Sequence, residues 1–389
     1  MPPVIRLHAS TAPTSALAGG PSGPSGRHRR SPRLTRPMRW AAASVATLTG
    51  ILGGAGLAGP PSAGAAGTAY VALGDSYSSG TGTRAYLDDG TSCQRSVYAY
   101  PALDAASLGL SLTFRACSGA TVADVTSTQL SALSTSTSYV TISVGGNDAG
   151  FASVLTTCAQ PSWLSNCNAA VDKAQAFVGS TLPSRLTTLY GSIRAKAPNA
   201  RVVVVGYPRI FNGDDCSALT WFSASEESRL NATADLLNAR TATAAAAAGF
   251  TFVNPTSVFT GHAVCDSPEW INNLSFPVSE SFHPNRSGHA SGYAVATRPA
   301  FGLGLTRTGS DAVRAAVASG PALVEGNARW AAVDRTVTPE RFVAPDLTTP
   351  AARAAAARAG VDLGSRASID RVDRQVQAQQ DAVRSASLR

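Results

Sequence analysis

From Thr68 to about residue 300 the chain alternates short apolar runs with longer helix-forming stretches. Apolar runs bounded by turn residues read as buried strands, and they fall at Ala69–Leu73, Leu112–Arg115, Tyr139–Val144, Arg201–Val205 and Phe250–Val253. Helical composition fills about Ala169–Ala197 and Ser225–Ala248. The second stretch is announced by Ser223 with Glu226 three residues later, a capping box, and is closed by Gly249. A last helix is expected after Pro284-Asn285, carrying Gly288–Ala296. Strands alternating with helices predict an α/β domain with a parallel sheet of about five strands covered by helices.

Both ends of the chain depart from this pattern. Residues 1–66 hold seven arginines and no acid, so the formal charge of +8 belongs to this leader and the remainder carries about +1. An arginine-rich start, the apolar run Trp40–Leu57 and the small-residue site Ala63-Gly64-Ala65 have the three parts of a secretory signal. Cleavage is expected after about Ala65, giving a secreted protein with no stable membrane insertion. The run is diluted by glycine, serine and threonine, which argues against a retained membrane anchor. The α/β body is assigned to 67–306. Beyond it, 307–389 is rich in Ala, Arg and Asp and has no cysteine. Its apolar content is too thin for a core of its own, so it reads as an extension, partly helical or disordered, with helices packed on the body as the next possibility.

With 14% charged residues, the chain suits neither a disordered acidic protein nor a nucleic-acid binder, and no nucleic-acid partner is expected. The 6 cysteines, Cys93, Cys117, Cys158, Cys167, Cys216 and Cys265, are an even set in an exported chain and imply disulfides. Neighbour pairing, Cys93 with Cys117, Cys158 with Cys167 and Cys216 with Cys265, would staple one loop region each. Their spacing does not fit a zinc site, so no metal and no cofactor is expected.

Candidate chemistry lies at the strand ends. The first strand stops at Gly74-Asp75-Ser76, and an α/β sheet binds its ligands beyond the carboxyl ends of its strands, where Ser76 is a candidate nucleophile. The later strand ends carry Ala116-Cys117-Ser118-Gly119-Ala120-Thr121 and Val144-Gly145-Gly146-Asn147-Asp148, which offer backbone N–H groups and an amide to the same crevice. One such donor to an oxyanion is typically worth about 3 to 4 kcal/mol. The base is sought among His262, His283 and His289, because His8 and His28 lie in the leader. His283, on a loop just before the last helix, is the choice; His289 inside that helix reads as structural and His262 is held in reserve. Gly80 and Gly82 lack the lysine and spacing of a phosphate loop.

The blocks Gly74-Asp75-Ser76-Tyr77, Gly119, Gly146-Asn147-Asp148 and His283, in that order over residues 68–300, resemble the SGNH (GDSL-type) hydrolases, in particular the secreted bacterial esterases and lipases with three disulfides. The resemblance implies a flavodoxin-like, three-layer αβα sandwich. It implies that Ser76 is the nucleophile, that His283 is the base, and that the Ser76 and Gly119 N–H groups with the Asn147 side chain form the oxyanion hole. The family usually places an aspartate three residues before the histidine; here Glu280 stands there, and either it or the Ser281 carbonyl orients the imidazole. The expected activity is hydrolysis of carboxylic esters, with lipid or fatty-acyl esters as first choice and carbohydrate deacetylation as the alternative. A non-catalytic binder of the same fold is a more distant reading. Phe151, Trp163, Trp221 and Phe222 are candidates to line an acyl site or, equally, to pack the loops beside the disulfides; Asp75 is expected to shape the turn, Asp148 is open between a structural and a catalytic part, and the protein is expected to act as a monomer.

Overall fold

The computed structural model describes residues 68–339 and 341–387; the leader of 1–66 and its cleavage site lie outside the described residues. Five strands, β1 Ala69–Gly74, β2 Ser111–Phe114, β3 Tyr139–Ser143, β4 Arg201–Val205 and β5 Thr251–Val253, form a sheet in the order β2-β1-β3-β4-β5. Every pairing is parallel. The body helices are α1 Ser76–Ser79, α2 Tyr100–Leu108, α3 Val122–Asp124, α4 Phe151–Cys158, α5 Cys167–Ser180, α6 Leu182–Lys196, α7 Ala224–Ala247 and α8 Ala294–Phe301. Helices α9 Gly309–Ala318, α10 Gly320–Ala328, α11 Ala331–Asp334, α12 Pro350–Ala359 and α13 Arg366–Ser387 follow.

The central strand shows why the sheet is covered on both faces. Successive side chains of a strand point to opposite sides. Tyr70 and Ala72 of β1 join a cluster with Phe301 of α8 and Leu323 of α10, whereas Val71 and Leu73 join one containing Leu186 and Leu189 of α6. Both sets are buried, so the strand reads as a continuous apolar run. The expected αβα sandwich is the observed architecture. Its order reverses between β1 and β3, which places the crevice beyond the ends of those two strands.

Three local features refine the sequence reading. The helix expected over Ala169–Ala197 is two helices, because Pro183 cannot continue the hydrogen-bond ladder and sits in the first turn of α6. The capping box of Ser223 and Glu226 starts α7. The last body helix opens with a π-helical stretch, Gly288–Tyr293, before α8. Disulfides join Cys93 to Cys117, Cys158 to Cys167 and Cys216 to Cys265.

For the described residues of the extension, the second of the two sequence readings, helices packed on the body, matches the structure. Those residues are largely helical and packed on the body: α9 lies against α2, α10 against β2, and α13 against α5. Its charged residues supply part of the reason. Asp334, fully buried, accepts from Arg95 (2.6 Å) and from both terminal nitrogens of Arg115 (2.8 and 2.6 Å). Further along, Asp373 accepts from the Ser162 N–H (2.6 Å) and Asp370 from the Trp221 indole (3.1 Å). Small residues such as Ala316, Ala352 and Ala356 are buried, so the helices approach closely with little apolar volume. Among the described residues, no helix is long and apolar enough to cross a membrane.

Candidate active site

Ser76 begins α1 directly after β1, and the turn that presents it is fixed from several sides. Gly74 has φ +124°, and a Cβ there would lie 2.4 Å from the Ser143 carbonyl oxygen, so the close approach of β1 to β3 requires glycine. The Gln129 side chain clamps the same residue, accepting from the Gly74 N–H (2.7 Å) and donating to its carbonyl (2.8 Å). Asp75 caps α1: Oδ1 accepts from the Tyr77 N–H (3.0 Å) and the Ser143 hydroxyl (2.8 Å), and Oδ2 from the Tyr207 hydroxyl (2.5 Å). Burial pushes the Asp75 carboxyl up to about 6 despite these three donors. Its oxygens are engaged behind the serine, a structural role.

His283 Nε2 lies 2.9 Å from Ser76 Oγ, and Nδ1 lies 2.9 Å from the Ser281 carbonyl oxygen. A carbonyl only accepts, so Nδ1 carries the hydrogen and Nε2 is left to receive the serine proton. Burial pushes the imidazole down to about 4, with the Ser281 bond acting in the opposite direction, which keeps the ring neutral at pH 7. The carbonyl is aimed by an unusual backbone: Phe282 has φ +62° and is fully buried. A non-glycine residue in that region costs roughly 1 to 2 kcal/mol. Packing of the Phe282 ring against Phe211, Phe222 and Phe342, and a 2.7 Å hydrogen bond from the Tyr77 hydroxyl to the Phe282 carbonyl, hold it there.

Glu280 does not reach the imidazole, which corrects its candidate role as orienter. Its carboxylate accepts from the Tyr86 hydroxyl (2.7 Å) and pairs with Arg84 (3.4 Å), leaving the Ser281 main chain to hold His283. The other histidines are occupied elsewhere. His289 is buried and accepts from the Tyr100 N–H (3.3 Å), and burial pushes it down to about 3. His262 stacks on Trp270 at 3.6 Å.

Asn147 and Gly119 line the same recess as Ser76 and His283. Asn147 spends one amide hydrogen on the Ala120 carbonyl (3.0 Å), which leaves its second for a ligand. Asp148 serves the framework, accepting from the Val122 N–H (2.8 Å). The Cys93–Cys117 bond and the Ser118 N–H to Cys93 carbonyl contact (2.9 Å) brace the Gly119 loop. The grouping of Cys216, Cys265 and Glu269 offers no thiolate, because both cysteines are in a disulfide.

Two arms of a cleft meet at Ser76, Asn147 and Phe151. One runs between α4, α5 and α7 and is walled by apolar side chains, among them Leu155, Val178, Ile210 and Leu237. The other passes His283 and is walled largely by polar ones, Ser92, Gln94, Ser118 and Ser279. Of the aromatic residues expected at an acyl site, Phe151 lies in the cleft. Trp163 and Trp221 do not, since they pack beneath α12 and α13, and Phe222 packs against Phe211 and Phe282. Tyr207, Gln129, Pro339, Arg341 and Phe342 were not singled out from the sequence. Tyr207 alone carried a signal, its place just after the end of β4.

A family profile described as the GDSL-like Lipase/Acylhydrolase family matches residues 72–291. A lipase of Streptomyces rimosus is 45% identical over 230 residues, 58% of this chain and 84% of that protein. The crystal structure of an extracellular lipase from Streptomyces rimosus matches with TM-score 0.56 and 42% identity, over 60% of this chain and 99% of that one. The structure of a phospholipase A1 from Streptomyces albidoflavus matches similarly, with TM-score 0.57 and 42% identity over 60% of this chain and 99% of that chain.

Proposed function

The chain belongs to the GDSL-like lipase/acylhydrolase family and is a carboxylic ester hydrolase, and on the geometry of its cleft we propose that Ser76 and His283 carry the reaction on lipid or fatty-acyl esters outside the cell. The observation that supports it most is the 2.9 Å approach of His283 Nε2 to Ser76 Oγ, with Nδ1 tied to a main-chain acceptor. As Oγ attacks the acyl carbon, its proton moves to Nε2 and the carbonyl oxygen gains negative charge. The Ser76 and Gly119 N–H groups and the free Asn147 amide hydrogen serve that oxyanion. Collapse breaks the ester C–O bond, His283 returns the proton to the leaving alkoxide, and water hydrolyses the acyl-enzyme by the same relay. The Ser281 carbonyl takes the orienting part that a carboxylate plays in other triads.

The apolar arm supports an acyl chain as its occupant, because an acetyl group would leave the side chains of α5 and α7 unmatched. Secretion is supported by the arginine-rich leader with its small-residue site and by three disulfides.

Ser76→Ala and His283→Ala are each expected to lower kcat on a chromogenic octanoyl ester by at least about 10⁴-fold. Wild-type turnover in either variant would overturn the assignment.

A further inference from the structure

The polar arm of the cleft is completed by the extension. Pro339, Arg341 and Phe342 line it together with Ser76, Gly119 and His283. Pro339 lies directly over the oxyanion loop: a Cβ on Gly119 would come within 2.3 Å of the Pro339 Cα. Phe342 is buried against Phe282, the residue whose backbone aims the Ser281 carbonyl, with ring centroids 5.0 Å apart.

This crossing is pinned on both sides. Before it, Asp334 is locked between Arg95 and Arg115, and Arg95 also donates to the Ala116 carbonyl (2.9 Å), just ahead of the Gly119 loop. After it, the Val343 N–H donates to the Thr156 hydroxyl of α4 (2.9 Å). The family match ends at residue 291, and the solved lipase is covered over 99% of its length by 60% of this chain. The wall formed by Pro339, Arg341 and Phe342 is therefore an addition to the matched body.

His283 returns its proton to the leaving oxygen, so the arm it borders holds the alcohol half of the ester. Among the described residues lining that arm, with His283 neutral, Arg341 carries the one formal charge. Arg341 is exposed and makes no ion pair with another described residue. Resting on the Ser76–His283 reading, we propose that the extension builds the alcohol-side subsite and that Arg341 selects esters whose alcohol half bears an anionic group, such as a phosphate or carboxylate. A planar guanidinium is suited to pairing such groups at two points.

The test uses the mature full-length enzyme and two octanoyl esters, one of 4-nitrophenol and one of 3-hydroxy-4-nitrobenzoate, whose leaving group carries a carboxylate. The quantity read is the ratio of kcat/KM for the anionic ester to that for the neutral one. Arg341→Ala is expected to lower this ratio about fivefold, Arg341→Glu further, and Arg341→Lys to retain part of it. In the wild type the ratio should shrink as salt is raised, because the side chain is exposed and its field is screened. An unchanged ratio in both the alanine and glutamate variants overturns the proposal. Failure of the underlying site has a different signature, wild-type hydrolysis of the neutral ester by Ser76→Ala.

Discussion

The two arms that meet at Ser76 are built from different parts of the chain and by different physics. The apolar arm is a gap between α4, α5 and α7, all within the body, and its walls come from side chains that also belong to the main core. The polar arm is a surface recess closed by a segment far along the sequence, held by a buried ion cluster. An apolar wall needs the right pattern and volume, whereas the closing of the second arm depends on a few exact partners. On the proposed assignment of the arms, the acyl side follows from the body of the fold, while the alcohol side is open to change by an addition at the chain end.

Breaking the ion cluster should give the largest effect. Asp334→Ala leaves Arg115 buried beside Trp330 without its carboxylate and takes one of two partners from Arg95. Removing one partner from a buried charge cluster costs about 3 to 5 kcal/mol. The unfolding free energy, read from the denaturant midpoint and slope, is expected to fall by that amount, and an unshifted midpoint would mean that the extension contributes nothing to the body. A moderate effect is expected in the apolar arm. Ala234→Phe places a ring against the wall of that gap, and kcat/KM for long acyl chains should fall about 10- to 100-fold relative to butyryl esters. Equal losses at all chain lengths would show that the chain lies elsewhere. The smallest change belongs to Glu280→Gln, which keeps an acceptor for Tyr86 and leaves the Ser281 carbonyl on His283. Activity within about threefold of wild type is expected, since about 0.65 kcal/mol corresponds to threefold in rate; a loss of several orders would return Glu280 to the catalytic group.

The contrast between the arms also decides what could be read from the sequence. The strands and the crevice were legible because apolar runs ending in Gly74-Asp75-Ser76 and Gly146-Asn147-Asp148 follow directly from burial and turn chemistry. The orienter of His283 was left between Glu280 and Ser281, since a main-chain carbonyl has no residue type to announce it and here depends on the positive φ of Phe282. Gln129 and Tyr207 act through tertiary contacts with Gly74 and Asp75; the place of Tyr207 just after β4 is a signal, and Gln129 has none. The packing of the extension was left open for a related reason. Asp334 looks like any other acid in an Ala, Arg and Asp-rich segment, and its meaning appears when Arg95 and Arg115 are seen buried at the ends of its carboxylate.

The central claim is that Ser76 is the nucleophile and that His283 activates it. An octyl phosphonate ester with a 4-nitrophenyl leaving group tests this directly, followed by mass spectrometry of the digested protein. The prediction is a single adduct on the peptide containing Ser76, formed far more slowly in His283→Ala. An adduct on another residue, or equal labelling rates in the two proteins, would contradict it.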